Sequence, residues 1–398
     1  MKINFLKKRK FKVGINSKIK ITEKARIHLK NDEQVSFFGK EGLYDFCKKN
    51  WGFYSTPSIN SRLKNNNFEV YLASNLLNRF FVFTVEKTKK NDFLNYIRSE
   101  DNQIIMRLDD AINPFQLKQK IEIGLKNLKK YCNGINECNN NKKNIKSVFK
   151  YSTAPKGEPS YKVNNYYREI VKCNNCEHFF SKHNINLNLL YKNDYSLISH
   201  GKNILRKFNR INNLKNKSDN FHRINRVLQF FQKKNKEYRL LDIGSGMGIF
   251  LYQLKKKTNW KLQGIESDKN NVLFSKNNLK LSVKNKTFKS SQFKNLKFDI
   301  ITLNKVIEHL KDPEFILKDI QKILKKEGFI YIEVPDAVSA KKSKNGKNSE
   351  EFYLDHFHIF SIYSLRNVLM KCGYEIIDIK KIKEPSGKHT IYAFAKYS

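Results

Sequence analysis

The chain has 398 residues, enough for two or three domains with cores of their own, and an apolar fraction of 39% is low but adequate to fold them. No apolar run approaches the roughly 20 residues of a membrane span, and the opening MKINFLKKRKFKVG has basic residues without the apolar stretch of a secretion signal, so a cytoplasmic protein is expected. Lys and Arg number 78 against 37 Asp and Glu, a formal charge of +41. That balance suits a nucleic-acid partner. The basic residues are spread through the chain with no dominant block, however, so the charge reads better as a compositional habit with a general attraction for anions.

Residues 1–125 read as a compact α+β module of unassigned role. Ile19–Thr22, Ala25–Lys30, Phe68–Leu72, Phe80–Val85 and Ile104–Leu108 have strand character, and Asp92–Arg98 reads as a helix. The aromatic turn Trp51-Gly52-Phe53-Tyr54 is expected to pack into the core rather than form a surface. Residues 126–220 read as a looser, cysteine-bearing unit. The six cysteines are Cys47, Cys132, Cys138, Cys173, Cys176 and Cys372, and without a secretion signal disulfides are not expected. Cys173-Asn174-Asn175-Cys176 is a C-x-x-C knuckle that can place two thiolates on one tetrahedral zinc. Cys132 and Cys138, at the unusual C-x5-C spacing, or His178 and His183, are the candidates for the remaining ligands.

A helix over Asn220–Lys233, with Ile224, Val227, Leu228 and Phe231 at helical spacing, leads into a regular alternation of strands and helices. The strands expected are 238–243, 261–266, 298–303, 329–334, 375–382 and 389–396, with a weaker one near 281–288. The first ends in Leu240-Leu241-Asp242-Ile243-Gly244-Ser245-Gly246-Met247-Gly248 and runs into an amphipathic helix, the outline of a nucleotide-binding turn. Glu266 ends the second strand, where an acid can accept hydrogen bonds from both ribose hydroxyls. A dinucleotide site needs G-x-G-x-x-G, and Ile249 stands where its third glycine belongs. The stretch instead resembles motif I of the class I S-adenosylmethionine (SAM)-dependent methyltransferases, [LV]-D-[IV]-G-x-G-x-G. The resemblance covers roughly residues 160–398. It implies a Rossmann-like α/β sheet of seven strands with the last antiparallel, and SAM held by Asp242, Gly244, Ser245, Gly246, Gly248 and Glu266. Tyr167–Phe180 with Leu190–Tyr195 is also similar to the zinc-knuckle segment that precedes the catalytic domain of many small-molecule methyltransferases. That implies a structural zinc on Cys132, Cys138, Cys173 and Cys176, although Glu177 replaces the family's glycine.

Asn304 and Lys305 follow the fourth strand and are expected to border the methionine end of SAM. Val306-Ile307-Glu308-His309 resembles the segment found there in small-molecule methyltransferases, with Glu308 and His309 bracing the loop. The [DNS]-P-P-[YFW] tetrapeptide of amino-methylating nucleic-acid enzymes is absent, so RNA methylation is the second choice. After the fifth strand a Lys/Ser/Asn/Gly segment reads as a mobile lid or insert. Tyr353-Leu354-Asp355-His356 with Phe360-Ser361 resembles the Y-x-E-H-x-x-x-F-S motif of deoxysugar C-methyltransferases, with Asp355 replacing Glu. The resemblance implies that His356 is the base and that Tyr353 and Asp355 orient it and the sugar oxygens. The function expected is methyl transfer from SAM to a small polar molecule, a sugar or nucleotide sugar. An RNA methyltransferase and a catalytically inactive binding module are the alternatives.

Overall fold

A computed structural model describes residues 2–13, 19–39, 42–55, 57–77, 79–111, 113–126, 132, 135, 138, 144–158, 166–183, 185, 203–231 and 237–397. The chain forms two compact units, residues 1–129 and 130–398. The cysteine-bearing segment therefore shares one unit with the domain that follows it, where the sequence suggests a boundary near residue 220. No described helix is long and apolar enough to cross a membrane.

The first unit is α+β. Strands β1 (Lys2–Val13) and β2 (Ile19–His28) form an antiparallel ribbon. Strand β1 escapes the sequence reading because lysines and arginines occupy both its odd and even positions. Strands β3 (Gln34–Phe38), β4 (Leu43–Lys49) and β5 (Gly52–Ser55) form a second sheet. Strands β6 (Phe68–Ser74), β7 (Phe80–Glu86) and β8 (Gln103–Arg107) form a third. Helix α1 (Lys90–Ser99) packs Phe93 and Ile97 on Tyr71 and Val85 of that sheet, and α2 (Pro114–Lys126) follows. The aromatic turn is not core: Trp51 is 69% and Phe53 64% exposed. Strand β4 buries Asp45 and Cys47 on its other positions, and Trp51 stacks instead on Tyr54.

The second unit holds two sheets. Strands β9 (Ile145–Tyr151), β10 (Arg168–Cys173) and β11 (Phe179–Lys182) form an antiparallel sheet. The larger sheet has seven strands: β12 (Arg239–Ile243), β13 (Lys261–Glu266), β14 (Val283–Asn285), β15 (Phe298–Asn304), β16 (Leu324–Pro335), β18 (Tyr374–Lys383) and β19 (His389–Tyr397). Their spatial order is β14-β13-β12-β15-β16-β19-β18, all parallel except β19, which runs antiparallel to both neighbours. This is the class I methyltransferase sheet. Between β16 and β18 a two-residue strand, β17 (His358–Ile359), leaves to pair with β11, so the two sheets are stitched together.

The central strands are apolar on both faces because helices cover both. Leu240, Leu241, Ile300, Ile301, Ile330 and Ile332 are fully buried, each contributing on the order of 2 kcal/mol. Helices α3 (Ile204–Asn213), α4 (Asp219–Phe230), α5 (Ile249–Lys257), α6 (Lys269–Asn277), α7 (Pro313–Gln321) and α9 (Ile362–Lys371) supply the covering layers. The segment read as a lid is folded. Helix α8 (Ala337–Lys342) is capped by Asp336 and buries Ala337 and Ala340 with Phe352 against β9, β10 and β11. Alanines and one phenylalanine are enough to anchor a stretch whose lysines dominate its composition.

Candidate active site

The C-terminal edges of β12, β13 and β15 bring the first group of residues together. Asp242 ends β12 and is buried. Its Oδ1 accepts hydrogen bonds from Thr302 Oγ1 at 2.6 Å and Asn304 Nδ2 at 3.0 Å. Burial outweighs those bonds and pushes its carboxyl up to about 7. Gly244 has φ +71°, and a Cβ there would stand 2.7 Å from a methyl of Val306, so the turn needs glycine both for its backbone and for its neighbour. Gly246 and Gly248 also have positive φ, and Gly248 precedes α5. The Gly246 N–H donates to Glu266 Oε2 at 2.8 Å, and Glu266 Oε1 accepts from the Asp268 N–H at 2.8 Å. Ser245 is buried, and its hydroxyl has no hydrogen-bond partner among the described residues. A cavity of about 440 Å³ opens here, lined by Gly244, Glu266, Phe288, Val306, Leu310 and Phe315 among others. Largely apolar walls with the Glu266 carboxylate at the end of β13 suit a flat base carrying a ribose.

Asn304 and Lys305 lie at the neighbouring strand end. The side-chain oxygen of Asn304 has no hydrogen-bond partner among the described residues. Lys305 adopts φ +60° and gives its Nζ to Thr390 Oγ1 on β19 at 2.8 Å, and burial lowers its pKa.

The acceptor candidates assemble beside them. The Phe357 N–H donates to the Glu308 carbonyl at 2.9 Å, which pins residues 353–357 across the loop after β15. His309 Nδ1 bonds the Asp355 carbonyl at 2.9 Å, and His356 Nδ1 bonds the Glu351 carbonyl at 2.8 Å. The two imidazoles meet edge to face at 4.8 Å. Burial lowers His356 to about 4, so its ring is neutral near pH 7. Burial also opposes the charge on Asp355, but His356 and His309 outweigh it and hold the carboxyl low. Glu308 is fully buried, neither carboxylate oxygen has a hydrogen-bond partner among the described residues, and burial raises its pKa. The His356 backbone N–H donates to the Tyr353 carbonyl at 3.1 Å, but the Tyr353 hydroxyl is directed elsewhere and reaches the Lys156 carbonyl at 3.5 Å. It lines a second, polar cleft of about 820 Å³ together with Lys156, Lys344, Lys383, Lys388 and His389.

The structure brings all four knuckle cysteines together. The sulfurs of Cys132, Cys138, Cys173 and Cys176 lie within 4.8 Å of one another, all buried and none in a disulfide. Cys138 and Cys176 are 3.2 Å apart, and Cys132 and Cys173 are 3.9 Å apart. His178 is not among them: it bonds Ser364 and His358 in the core. His183 is also outside the group, stacked on Phe357. The Leu190–Tyr195 part of the knuckle pattern lies outside the described residues.

Sequence reasoning missed one group. Arg223 donates through Nε and a terminal nitrogen to Glu333 at 2.8 and 2.6 Å, and Arg226 bridges Glu333 and Glu384. The signal was two arginines at i and i+3 on the same side of α4 as Val227, inside an otherwise apolar stripe.

Residues 216–379 match the family model described as "Methyltransferase domain". A curated relative, the ubiquinone biosynthesis O-methyltransferase of Pelagibacter ubique (strain HTCC1062), is 33% identical over 105 residues, which are 25% of this chain and 43% of that protein. The chain thus spans less than half the length of that relative. Among solved structures, the glycopeptide N-methyltransferase MtfA aligns with a TM-score of 0.35 at 11% identity, over 44% of this chain and 90% of that one. The plantazolicin methyltransferase BpumL in complex with SAH aligns with a TM-score of 0.37 at 16% identity, over 53% and 96%.

Proposed function

We propose that this chain is a SAM-dependent methyltransferase that modifies a small polar acceptor, a sugar or nucleotide sugar, at carbon or oxygen. The observation that carries this reading is the cavity at the ends of β12 and β13. Gly244 and Glu266 line it, Glu266 is bonded to the Gly246 N–H, and all lie within the matched domain. Glu266 takes the ribose hydroxyls, and its present bond to the Gly246 N–H is the one the ribose replaces. Asn304 and Asp242 face the methionine portion, with Lys305 held behind them by Thr390. The sulfonium already activates the methyl group, so the protein needs to align the acceptor and accept its proton. His356 is the base: the Glu351 carbonyl fixes the proton on Nδ1 and leaves the Nε2 lone pair free. Asp355 steadies the charged ring, and Tyr353 belongs to the acceptor cleft. The sugar assignment is supported by the resemblance at residues 353–361 and by the lysines of that cleft, which suit a phosphorylated molecule.

The test is a thermal-shift titration with SAM and S-adenosylhomocysteine (SAH). Ligand that binds only the folded state raises the melting temperature. Wild-type protein is expected to shift and Glu266→Ala to lose most of the shift. No shift in folded wild-type protein would end the cofactor assignment. His356→Ala is expected to keep the SAH shift and lose at least about a hundredfold in turnover.

The four buried sulfurs suit a structural zinc held as a tetrahedral thiolate site. Purified protein is expected to contain about one zinc by elemental analysis. Cys173→Ser is expected to lose it and to melt several degrees lower, because metal affinity is folding free energy. Metal-free protein that melts like the loaded one would remove the zinc.

A further inference from the structure

We propose that Glu308, His309 and His356 form a binding site for a divalent cation of the kind that takes mixed nitrogen and oxygen ligands. One ligand-capable atom from each of the three lies within 4.8 Å of the other two. Glu308 supplies the strongest argument. Its side chain is fully enclosed and, among the described residues, neither oxygen has a hydrogen-bond partner. A buried polar group left in that condition costs on the order of 1–3 kcal/mol, more when charged. A cation beside it removes the cost by giving both oxygens a partner.

The two rings are already set in the form a metal requires. The Nδ1 of His309 faces the Asp355 carbonyl and the Nδ1 of His356 faces the Glu351 carbonyl. A carbonyl can only accept, so the proton of each ring sits on Nδ1 and the lone pair sits on Nε2. Backbone carbonyls fixing the tautomer in this way are the usual support of metal-bound histidines. Two imidazoles, one carboxylate and no thiolate favour Mn²⁺, Fe²⁺, Co²⁺ or Zn²⁺ over Mg²⁺ and Ca²⁺. The nearby charges are compatible with a cation. Lys305 lies within electrostatic reach of Glu308 but bonds its ammonium to Thr390, and Asp355 keeps a carboxylate oxygen 3.6 Å from His309 Nδ1. Three protein ligands leave positions open for water or for oxygens of the acceptor.

The inference rests on the methyl-transfer reading only for what the cation would do. Bound there, it takes up the His356 lone pair. An acceptor hydroxyl held on the cation would then lose its proton to solvent water, and His356 would act as the base only in the metal-free protein. Binding itself can be measured without turnover. Full-length protein is titrated with Mn²⁺, and the free ion is followed by electron paramagnetic resonance; a thiolate cluster has little affinity for this hard ion. The expected result is about one bound Mn²⁺ per chain, with affinity reduced at least tenfold in Glu308→Gln and in His309→Gln. Both variants should retain the SAH thermal shift, which shows that they are folded. Unbound Mn²⁺ at millimolar concentration over folded wild-type protein overturns the site, and so does wild-type affinity in the two variants. Wild-type protein that binds Mn²⁺ but not SAH supports the cation site and removes the methyl-transfer reading instead.

Discussion

Replacing Asp242 by Asn is expected to make the protein more stable above pH 7 and unable to hold its cofactor. Asp242 sits at the end of β12 with one oxygen satisfied by Thr302 and Asn304, while burial raises its pKa to about 7. In the unfolded chain the same carboxyl titrates near about 3.9. Between those values the folded state holds a proton that the unfolded state has released. Stability contributed by this group is therefore full below about pH 4 and is lost progressively as the pH rises through 7. Above pH 7 the ionised side chain costs about 2–4 kcal/mol. Asparagine has the same shape and never ionises. Asp242→Asn should melt several degrees above wild type at pH 8, with the gap closing by pH 5. Bound SAM supplies the compensation that the free protein lacks, so the variant should show little shift with SAH. A variant that melts at or below wild type at pH 8 would mean that the carboxylate is better solvated than its surroundings indicate.

Glu333→Ala is expected to be the most destabilising single change in the second unit. Glu333 is fully buried and receives both Arg223 and Arg226. Burial opposes its charge, but the two guanidinium groups outweigh that and hold its pKa at about 2. Removing the carboxylate leaves two largely buried arginines with Glu384 and the Tyr331 hydroxyl as remaining partners, a loss of about 3–5 kcal/mol. The acid limb follows with a definite sign. A carboxyl whose folded pKa lies below its unfolded value contributes stability above about pH 4.3, and that contribution is lost as the pH falls towards 2. Wild-type melting temperature should fall through this window more steeply than that of the variant. Parallel acid limbs in urea or thermal unfolding would show that the pair is held by packing rather than by charge.

The parts of the fold legible in the sequence were those where local pattern and tertiary environment agree. Strands β12 and β15 read as short apolar runs because both of their faces are buried, and Asp242 and Glu266 stood out as acids near the ends of β12 and β13. The Cys173–Cys176 knuckle was legible from spacing. Cys132 and Cys138 were candidates beside it, as were His178 and His183, and because five intervening residues carry no spacing rule the choice between them is made by the fold. The aromatic turn misled because aromatic content correlates with burial, while Trp51 lies beyond the paired part of its hairpin. The lid segment misled in the opposite direction, since a few small apolar residues decide its packing. Glu308 was read as a brace. That a buried carboxylate lacks any hydrogen bond is a property of its three-dimensional surroundings, and no sequence pattern carries it.

Strand β17 has a mechanical consequence. The chain that carries Asp355 and His356 continues directly into it, and β17 is paired with β11, whose hairpin ends on the cysteine cluster. The Ser361 hydroxyl adds a second tie by donating to the Cys176 carbonyl at 2.5 Å. On the reading proposed above, the cysteine hairpin would work as a splint for the acceptor half of the site and leave the glycine turn of the cofactor half untouched. Oxidation or loss of whatever closes the four sulfurs would fray that splint first. The result would be a protein that still grips its nucleoside but presents its acceptor poorly, so that thiol chemistry about the hairpin governs turnover without governing cofactor affinity.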